Sequence, residues 1–460
     1  MTLIKSISGI RGTIGGTPGN NLTPIDIVKF ASAYGTWIKQ HTTDSTPRIV
    51  IGRDARISGK MVSNLVCNTL IGLGIDVLDI DLTTTPTVEM VVIQEKAAGG
   101  IIVTASHNPK QYNALKLLNY KGEFLNAKNA TKVIELAKKE DFNFSEVDCL
   151  GTYKKGDGYL EKHIQEILNL DLVDIEAIKN AKFKVVVDAV NSTGGIAIPM
   201  LLKSLSVACI PLYCEPNGEF PHNPEPLPKN LKDLSETVVK ESADLGIAVD
   251  PDVDRLALVC ENGSMFGEEY TLVACADYVL QHTPSNTVSN MSSSRALKDL
   301  TIKYGQKHKA SAVGEINVVE MMKQENAIIG GEGSGGIIYA PLHHGRDALV
   351  GVALFLSHLA KKQMACSALR ASYPSYFMSK EKISLTEEID TERLLSKIKE
   401  KYSHEQITTI DGVKIDFSSE WVHLRKSNTE PIIRVYTEST SQEKADSLAA
   451  RFVKELEDEA

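Results

Sequence analysis

The chain has 460 residues, 42% of them hydrophobic and 24% charged, with a formal net charge of -9. This is the balance of a globular protein of roughly three domains, at about 150 residues each. The charge argues against nucleic acid as the main partner, no run of about 18 apolar residues suggests a membrane span, and the N-terminal MTLIKSISGIRGTIGG lacks the apolar core and cleavage site of a secretory signal.

Strand-like apolar runs alternate with helical stretches along most of the chain. RIVIG (48–52) precedes a helical stretch at about 59–73, and DVLDIDL (76–82) and GGIIVTAS (99–106) follow. A break falls near 150–158. KVVVDAV (184–190) precedes another helical stretch. The proline-rich EPNGEFPHNPEPLP (215–228) predicts an ordered loop, because its prolines disfavour helix and central strand. Amphipathic NLKDLSETVVKESAD (230–244) leads into LGIAVD (245–250), and NTVSNMSSS (286–294) and NAIIGGEGSGG (326–336) repeat the habit. Such alternation implies α/β layers with largely parallel strands. After a linker around 373–376 come short strand candidates at 412–417, 421–426 and 431–438. Thr440 and Glu443 have capping-box spacing, and Ala445, Leu448, Ala449, Phe452, Val453 and Leu456 then recur at helical spacing. This C-terminal part is expected to be a small α+β domain. The seven cysteines, Cys67, Cys149, Cys209, Cys214, Cys260, Cys275 and Cys366, form no CxxC pair. They are expected to be reduced and mostly buried in a cytoplasmic protein, without a zinc or disulfide role.

Three of the apolar runs end in clusters of polar chemistry: TASHNP, DPDVDR and GGEGSGG. Ligands of open α/β sheets bind beyond the carboxyl ends of strands, so three related units facing one cleft are expected. In the first cluster Ser106 follows a buried strand beside His107 and Asn108, with Lys116 close by. It is either an accessible nucleophile or the cap of a turn. Asp250, Asp252 and Asp254, taken as an extended segment, would point the same way. Converging like charges call for a cation, and hard oxygens favour magnesium or calcium. A solvated acidic turn is the bland alternative. In the third cluster Glu332 would repel a phosphate; with Ser334 it suits hydrogen bonding to sugar hydroxyls, and a plain flexible turn is the alternative. HHGRD (343–347) adds two histidines and an Arg–Asp pair. Finally, Arg425, Ser427, Asn428 and Thr429 offer the donors of a phosphate cradle, or of a plain hairpin turn.

Six segments in one order, SGIRG (8–12), GRDARISG (52–59), TASHNP, DPDVDR, GEGSGG and RKSNTEP, resemble the α-D-phosphohexomutase superfamily. The resemblance runs over nearly the whole chain and is closest to its phosphoglucosamine mutase members. It implies an α/β fold of three domains with mixed sheets around a cleft, plus a small α+β domain, here at 1–152, 153–256, 257–370 and 371–460. It implies that Ser106 is phosphorylated and catalytic, with His107, Lys116 and Arg11. Asp250, Asp252 and Asp254, with the Ser106 phosphate, would hold Mg2+. Arg53, Asn108, Arg255, Glu332, Ser334, Arg425, Ser427, Asn428, Thr429 and Arg434 would bind a hexose phosphate. A hexose 1,6-bisphosphate would serve as intermediate and activator, and neither nucleic acid nor membrane is an expected partner.

The chain departs from common patterns of that superfamily at three places. Ala114 stands where many members have Gly, Gly336 where many have His, and Asn428 where others have Gly. His343 and His344 are the residues to consider as replacements for the missing histidine. The GEGSGG form without His is similar to the variant associated with phosphoglucosamine mutases and broad-specificity archaeal-type enzymes. The expected reaction is therefore glucosamine 6-phosphate to glucosamine 1-phosphate, with a phosphoglucomutase/phosphomannomutase as the alternative. A carboxylate near a 2-ammonium would support the first. A sugar-phosphate phosphatase and a non-catalytic sensor are readings of other classes.

Overall fold

The computed structural model describes residues 1–6, 9–384, 391–426 and 432–459. Four sheets follow one another along the chain. The first has seven strands in the order Ile4–Ser6, Gly9–Thr13, Tyr112–Leu118, Gly99–Val103, Arg48–Arg53, Asp76–Leu82 and Tyr153–Lys155. The second runs Leu256–Cys260, Leu245–Val249, Lys184–Asp188, Ala208–Leu212, and the third His308–Ser311, Thr287–Asn290, Ile329–Glu332, Gly336–Tyr339. All three mix parallel and antiparallel pairs. The fourth is antiparallel throughout, in the order Phe377–Ser384, Ile432–Ser439, Trp421–Lys426, Val413–Asp416, Gln406–Thr408. The architecture is three α/β units and a C-terminal α+β unit. The strand Tyr153–Lys155, placed after the expected boundary at 152, adds to the first sheet, and Leu256–Cys260 spans the one expected at 256.

The three α/β units repeat one device. A central strand, parallel to a neighbour, turns back at its carboxyl end into an antiparallel partner: Gly99–Val103 into Tyr112–Leu118, Leu245–Val249 into Leu256–Cys260, Ile329–Glu332 into Gly336–Tyr339. The central strands are buried along their whole length, so their runs are apolar without alternation. The three turns are the three polar clusters, and the topology brings them to one place. The second and third units share one apolar core, whereas the C-terminal unit has its own, around Val413, Ile415, Leu424, Val435 and Phe452. Its last helix is Gln442–Glu459, capped by Ser441 rather than by Thr440: the Lys444 N–H donates to Ser441 Oγ at 3.3 Å. All seven cysteines are free.

A buried polar junction ties the first three units together. Thr87 and Glu89 lie on the helix Thr85–Gln94, His163 on Tyr159–Leu168, and His343 and Asp347 just before the helix Ala348–Lys362. Asp347 Oδ1 caps that last helix through the Leu349 N–H at 2.8 Å. Its Oδ2 meets His163 Nε2 at 3.0 Å and His343 Nε2 at 3.4 Å. His343 Nδ1 lies 3.3 Å from Glu89 Oε2, and His163 Nδ1 lies 2.9 Å from Thr87 Oγ1. Gly345 permits the approach of Glu89, since a Cβ there would sit 1.8 Å from Glu89 Oε2. Burial pulls the His343 imidazolium down, but Asp347 and Glu89 outweigh it and push it up to about 10.

A folded-state value above the ordinary histidine value of about 6.5 means that the junction contributes fully below that pH and is lost as pH rises towards about 10. Urea unfolding midpoints are expected to fall across this window, and to fall less in His343→Gln. An equal fall in both proteins would show that the junction carries no charge.

Candidate active site and metal centre

The turn that carries Ser106 is held in a conformation a serine does not choose. Ser106 sits at φ +48°, in the left-handed region, which costs a non-glycine residue about 1–2 kcal/mol. Arg56 supplies the compensation. It is buried, and its guanidinium donates to the carbonyls of Ser106 and Asn108 through one nitrogen (2.5 and 2.6 Å) and of Pro109 and Tyr112 through another (2.7 and 3.0 Å). Asp54 fixes Arg56 in turn, at 3.0 Å from Nε, and accepts from Thr104 Oγ1 at 2.7 Å. Thr104 Oγ1 accepts from the Ser106 N–H at 2.9 Å. The Phe220 ring covers Arg56 at 5.1 Å from the proline-rich loop.

Asp250–Asp254 is not extended, as expected from spacing, but a tight turn. The Val253 N–H donates to the Asp250 carbonyl at 3.1 Å, and Val253 lies at φ +63°, a genuine outlier for a β-branched residue. The turn, not the period of a strand, makes the carboxylates converge. One oxygen from each lies within 4.8 Å of the others, and all three side chains are buried.

Ser106 Oγ donates to Asp250 Oδ2 at 2.6 Å, joining the first two turns. Lys116 Nζ bridges Asp252 Oδ2 (2.6 Å) and Asp254 Oδ2 (3.1 Å), and Thr85 Oγ1 donates to Asp252 Oδ2 at 2.6 Å. Arg346 reaches Asp254 Oδ2 and Glu332 Oε2, both at 2.7 Å, and so attaches the third turn. Asp250 Oδ1 accepts the N–H groups of Asp254 and Arg255. Asp252 Oδ1 and Asp254 Oδ1 are buried without a hydrogen-bond partner. Buried acceptors without a hydrogen bond on two of three converging carboxylates, Asp254 Oδ1 having only Arg255 Nε at 3.9 Å, are what a hard divalent cation would take up. Burial and the Asp254 and Asp252 charges push the Asp250 carboxyl well above the usual range, a cost such a cation would offset. His163, His343 and Asp347 also bring ligand atoms together, but there every ring nitrogen already faces a carboxylate or hydroxyl oxygen.

The cations of the site differ in proton affinity. Burial pulls Lys116 down, yet Asp252 and Asp254 outweigh it and hold the ammonium above its usual value. Burial and Arg255 lower Arg11, whose NH1 donates to Asn108 Oδ1 at 2.7 Å. Arg255, burial and Arg11 hold His107 well below the usual imidazole range, and its Nδ1 lies 3.4 Å from Ser106 Oγ. Ser106, His107, Asn108, Arg11, Lys116, the three aspartates, Arg255 and Glu332 thus form one connected group. Arg53 is one step away, paired with Asp81 at 2.7 Å. Arg425 lies on the C-terminal sheet, 3.2 Å from Asp411, with Arg434 opposite it in register. Ser427, Asn428 and Thr429 lie outside the described residues. Arg56 and Thr85 escaped the sequence analysis, which gave Arg346 no role beyond membership of the Arg–Asp pair of HHGRD. Arg56 stood inside GRDARISG and Arg346 inside HHGRD, but nothing in either string says that its arginine turns inward.

A buried acidic triad, a serine on a strained turn and a glycine-rich loop, set on three repeated α/β units, fit the phosphohexomutase class. Residues 3–144, 158–263 and 267–376 match the phosphoglucomutase/phosphomannomutase alpha/beta/alpha domains I, II and III, and 382–455 match the C-terminal domain, so the chain belongs to that family. It is 35% identical to a phosphoglucomutase/phosphomannomutase of Thermococcus kodakarensis, over 97% of this chain and 98% of that one. It is 30% identical to a phosphoglucosamine/phosphogalactosamine mutase of Sulfurisphaera tokodaii, over 98% of each. The fold matches a crystal structure of a family protein from Burkholderia thailandensis with a TM-score of 0.85, 23% identity and coverage of 100% and 98%. No helix among the described residues is long and apolar enough to cross a membrane.

Asp252→Asn is expected to weaken Mg2+ binding, measured by titration calorimetry, at least as much as the roughly 10–100-fold that outer-shell partners contribute, with the circular dichroism spectrum unchanged. Undiminished binding would make the triad a structural turn. Arg56→Met is expected to lower unfolding free energy in urea by about 3–5 kcal/mol, because it strands the buried Asp54 charge. A change under about 1 kcal/mol would remove Arg56 as the support of the serine turn.

Proposed function

We propose that this protein is a phosphohexose mutase that moves a phosphoryl group between O6 and O1 of a hexose phosphate through phosphorylated Ser106. The contact that carries the reading is Ser106 Oγ on Asp250 Oδ2 at 2.6 Å, beside two carboxylates with unpaired buried oxygens. Asp250, Asp252, Asp254 and the Ser106 phosphate would hold Mg2+, which when bound neutralises charge on the transferring group. In the first transfer the bond from Ser106 Oγ to phosphorus breaks and one from the sugar hydroxyl oxygen forms. In the second, after the 1,6-bisphosphate has turned round, the other phosphoryl returns to Ser106. Lys116, kept cationic by its two aspartates, faces the charge that develops. Arg11, whose NH1 donates to Asn108 Oδ1 at 2.7 Å, faces the same charge as a second cation, and the proton of the sugar hydroxyl passes to solvent as its oxygen bonds to phosphorus.

Arg425 and Arg434 are proposed as the grip on the non-reacting phosphate, with Ser427, Asn428 and Thr429 of the same segment. What supports this is the register that sets Arg425 opposite Arg434 on paired strands and so brings two guanidinium groups, the fork donors of phosphate recognition, to one place. Glucosamine 6-phosphate remains the first substrate on the strength of GEGSGG. Glu332 is a weak basis for charge pairing with a 2-ammonium, because its Oε2 already holds Arg346 at 2.7 Å. Glucose and mannose 6-phosphates are therefore proposed as alternatives at the same site, a range matched by the relatives' names.

Intact-mass measurement is expected to show one added phosphate on the purified protein, absent from Ser106→Ala. A coupled assay on the three 6-phosphates should detect isomerised product, stimulated by hexose 1,6-bisphosphate and abolished in Ser106→Ala. Release of inorganic phosphate without isomerisation, or activity surviving in Ser106→Ala, would overturn the mechanism.

A further inference from the structure

Gly336 lacks the side chain that a histidine would supply. His343 is committed to the junction between units, and His344 is half-buried, with its proton affinity lowered by burial and by Lys323. The space belongs to Arg346. A Cβ at position 336 would lie 2.4 Å from Arg346 Cδ, so the arginine runs where any side chain at 336 would stand. Its guanidinium ends on three carboxylates from three different elements: Asp254 Oδ2 at 2.7 Å, Glu332 Oε2 at 2.7 Å and Glu315 Oε2 at 3.1 Å. Its backbone N–H donates to Glu315 Oε1 at 2.8 Å, which fixes the base of the side chain as well.

Glu332 is correspondingly constrained. Oε1 accepts from Asn290 Nδ2 at 2.8 Å and from the Gly314 N–H at 3.0 Å, while Oε2 accepts from Arg346. A carboxylate has about four acceptor directions. Three are filled from the protein side, which leaves one on Oε2 for a sugar hydroxyl.

We propose that Arg346 is a positioning residue for sugar binding, which aims the Glu332 carboxylate and locks the sugar loop to the aspartate turn through Asp254. The inference rests on the reading of the protein as a phosphohexose mutase. It makes Gly336 a requirement of the arginine rather than a loss, since the two positions share one volume. It also predicts that Arg346 acts through Glu332 and not only as a counter-charge for Asp254.

The test is a double-mutant cycle read on glucose 6-phosphate. Arg346→Met keeps the length and loses the fork, and is expected to raise KM about tenfold, ~1.4 kcal/mol, with a smaller loss in kcat. Arg346→Lys, which keeps charge without the fork, should recover part of it. In a Glu332→Gln background the same Arg346→Met change should cost less than about twofold, because the group it aims is gone. Equal costs in both backgrounds, or a fall in kcat with KM unmoved, would overturn the proposal. Gly336→Ala presses on Cδ while leaving the charge, and serves if Arg346→Met does not fold. It should raise KM in the wild-type background and not in Glu332→Gln, and an unmoved KM in both refutes the idea equally. Wild-type protein inactive on every hexose 6-phosphate would count against the function, whereas an active wild type with additive costs counts against this inference alone.

Discussion

Three buried carboxylates on one turn are the constraint around which the molecule is arranged. Asp250, Asp252 and Asp254 are wholly withdrawn from water, and their repulsion at short range in a low dielectric is large. Each neighbouring element answers it. The first unit contributes Lys116, Thr85 and the Ser106 hydroxyl. The third contributes Arg346, and the turn itself contributes the N–H groups of Asp254 and Arg255. What remains without a hydrogen bond, one oxygen on each of Asp252 and Asp254, marks where a cation would fit.

The same constraint explains why backbone strain sits where it does. Ser106 and Val253 both occupy the left-handed region, one on each of the two turns that meet at the Ser106–Asp250 contact. Strain of this kind persists only where surroundings over-determine the conformation. For Ser106 those surroundings are Arg56, Asp54 and Thr104. For the aspartate turn they include the hydroxyls of Ser192 and Thr193 on the Pro251 carbonyl, at 2.7 and 2.8 Å. The units that carry the chemistry are joined by the shared core and the histidine–aspartate junction, while the C-terminal unit keeps a core of its own.

Much of the fold was legible because local patterns specified it. Continuous apolar runs marked the buried central strands, and three of them ended in polar clusters at the same step of the same topology. The capping of the last helix was placed one residue early, since Thr440 and Ser441 offer the same hydroxyl and only backbone geometry chooses between them. The aspartates were recognised for their chemistry but given the wrong local shape. Their spacing of two suits a strand, and the turn became visible only with the antiparallel return of Leu256–Cys260.

The sequence by itself determined which residues carry charge, hydroxyl and turn propensity, and in what order. That was enough to specify the α/β repeats, the serine turn, the acidic triad and the kinship. Only the tertiary structure decided which arginines are structural and which meet the site. Arg56 and Arg346 resemble any other arginine in the chain, and their roles follow from distant partners: the carbonyl that Arg56 holds at Ser106 is 50 residues away, and the carboxylates of Arg346 lie 14 to 92 residues away. It also decided that Gly336 is occupied space, because the volume lies between segments ten residues apart that the chain folds onto each other. Charge and propensity are properties of residues, whereas convergence and shared volume are properties of the packed chain.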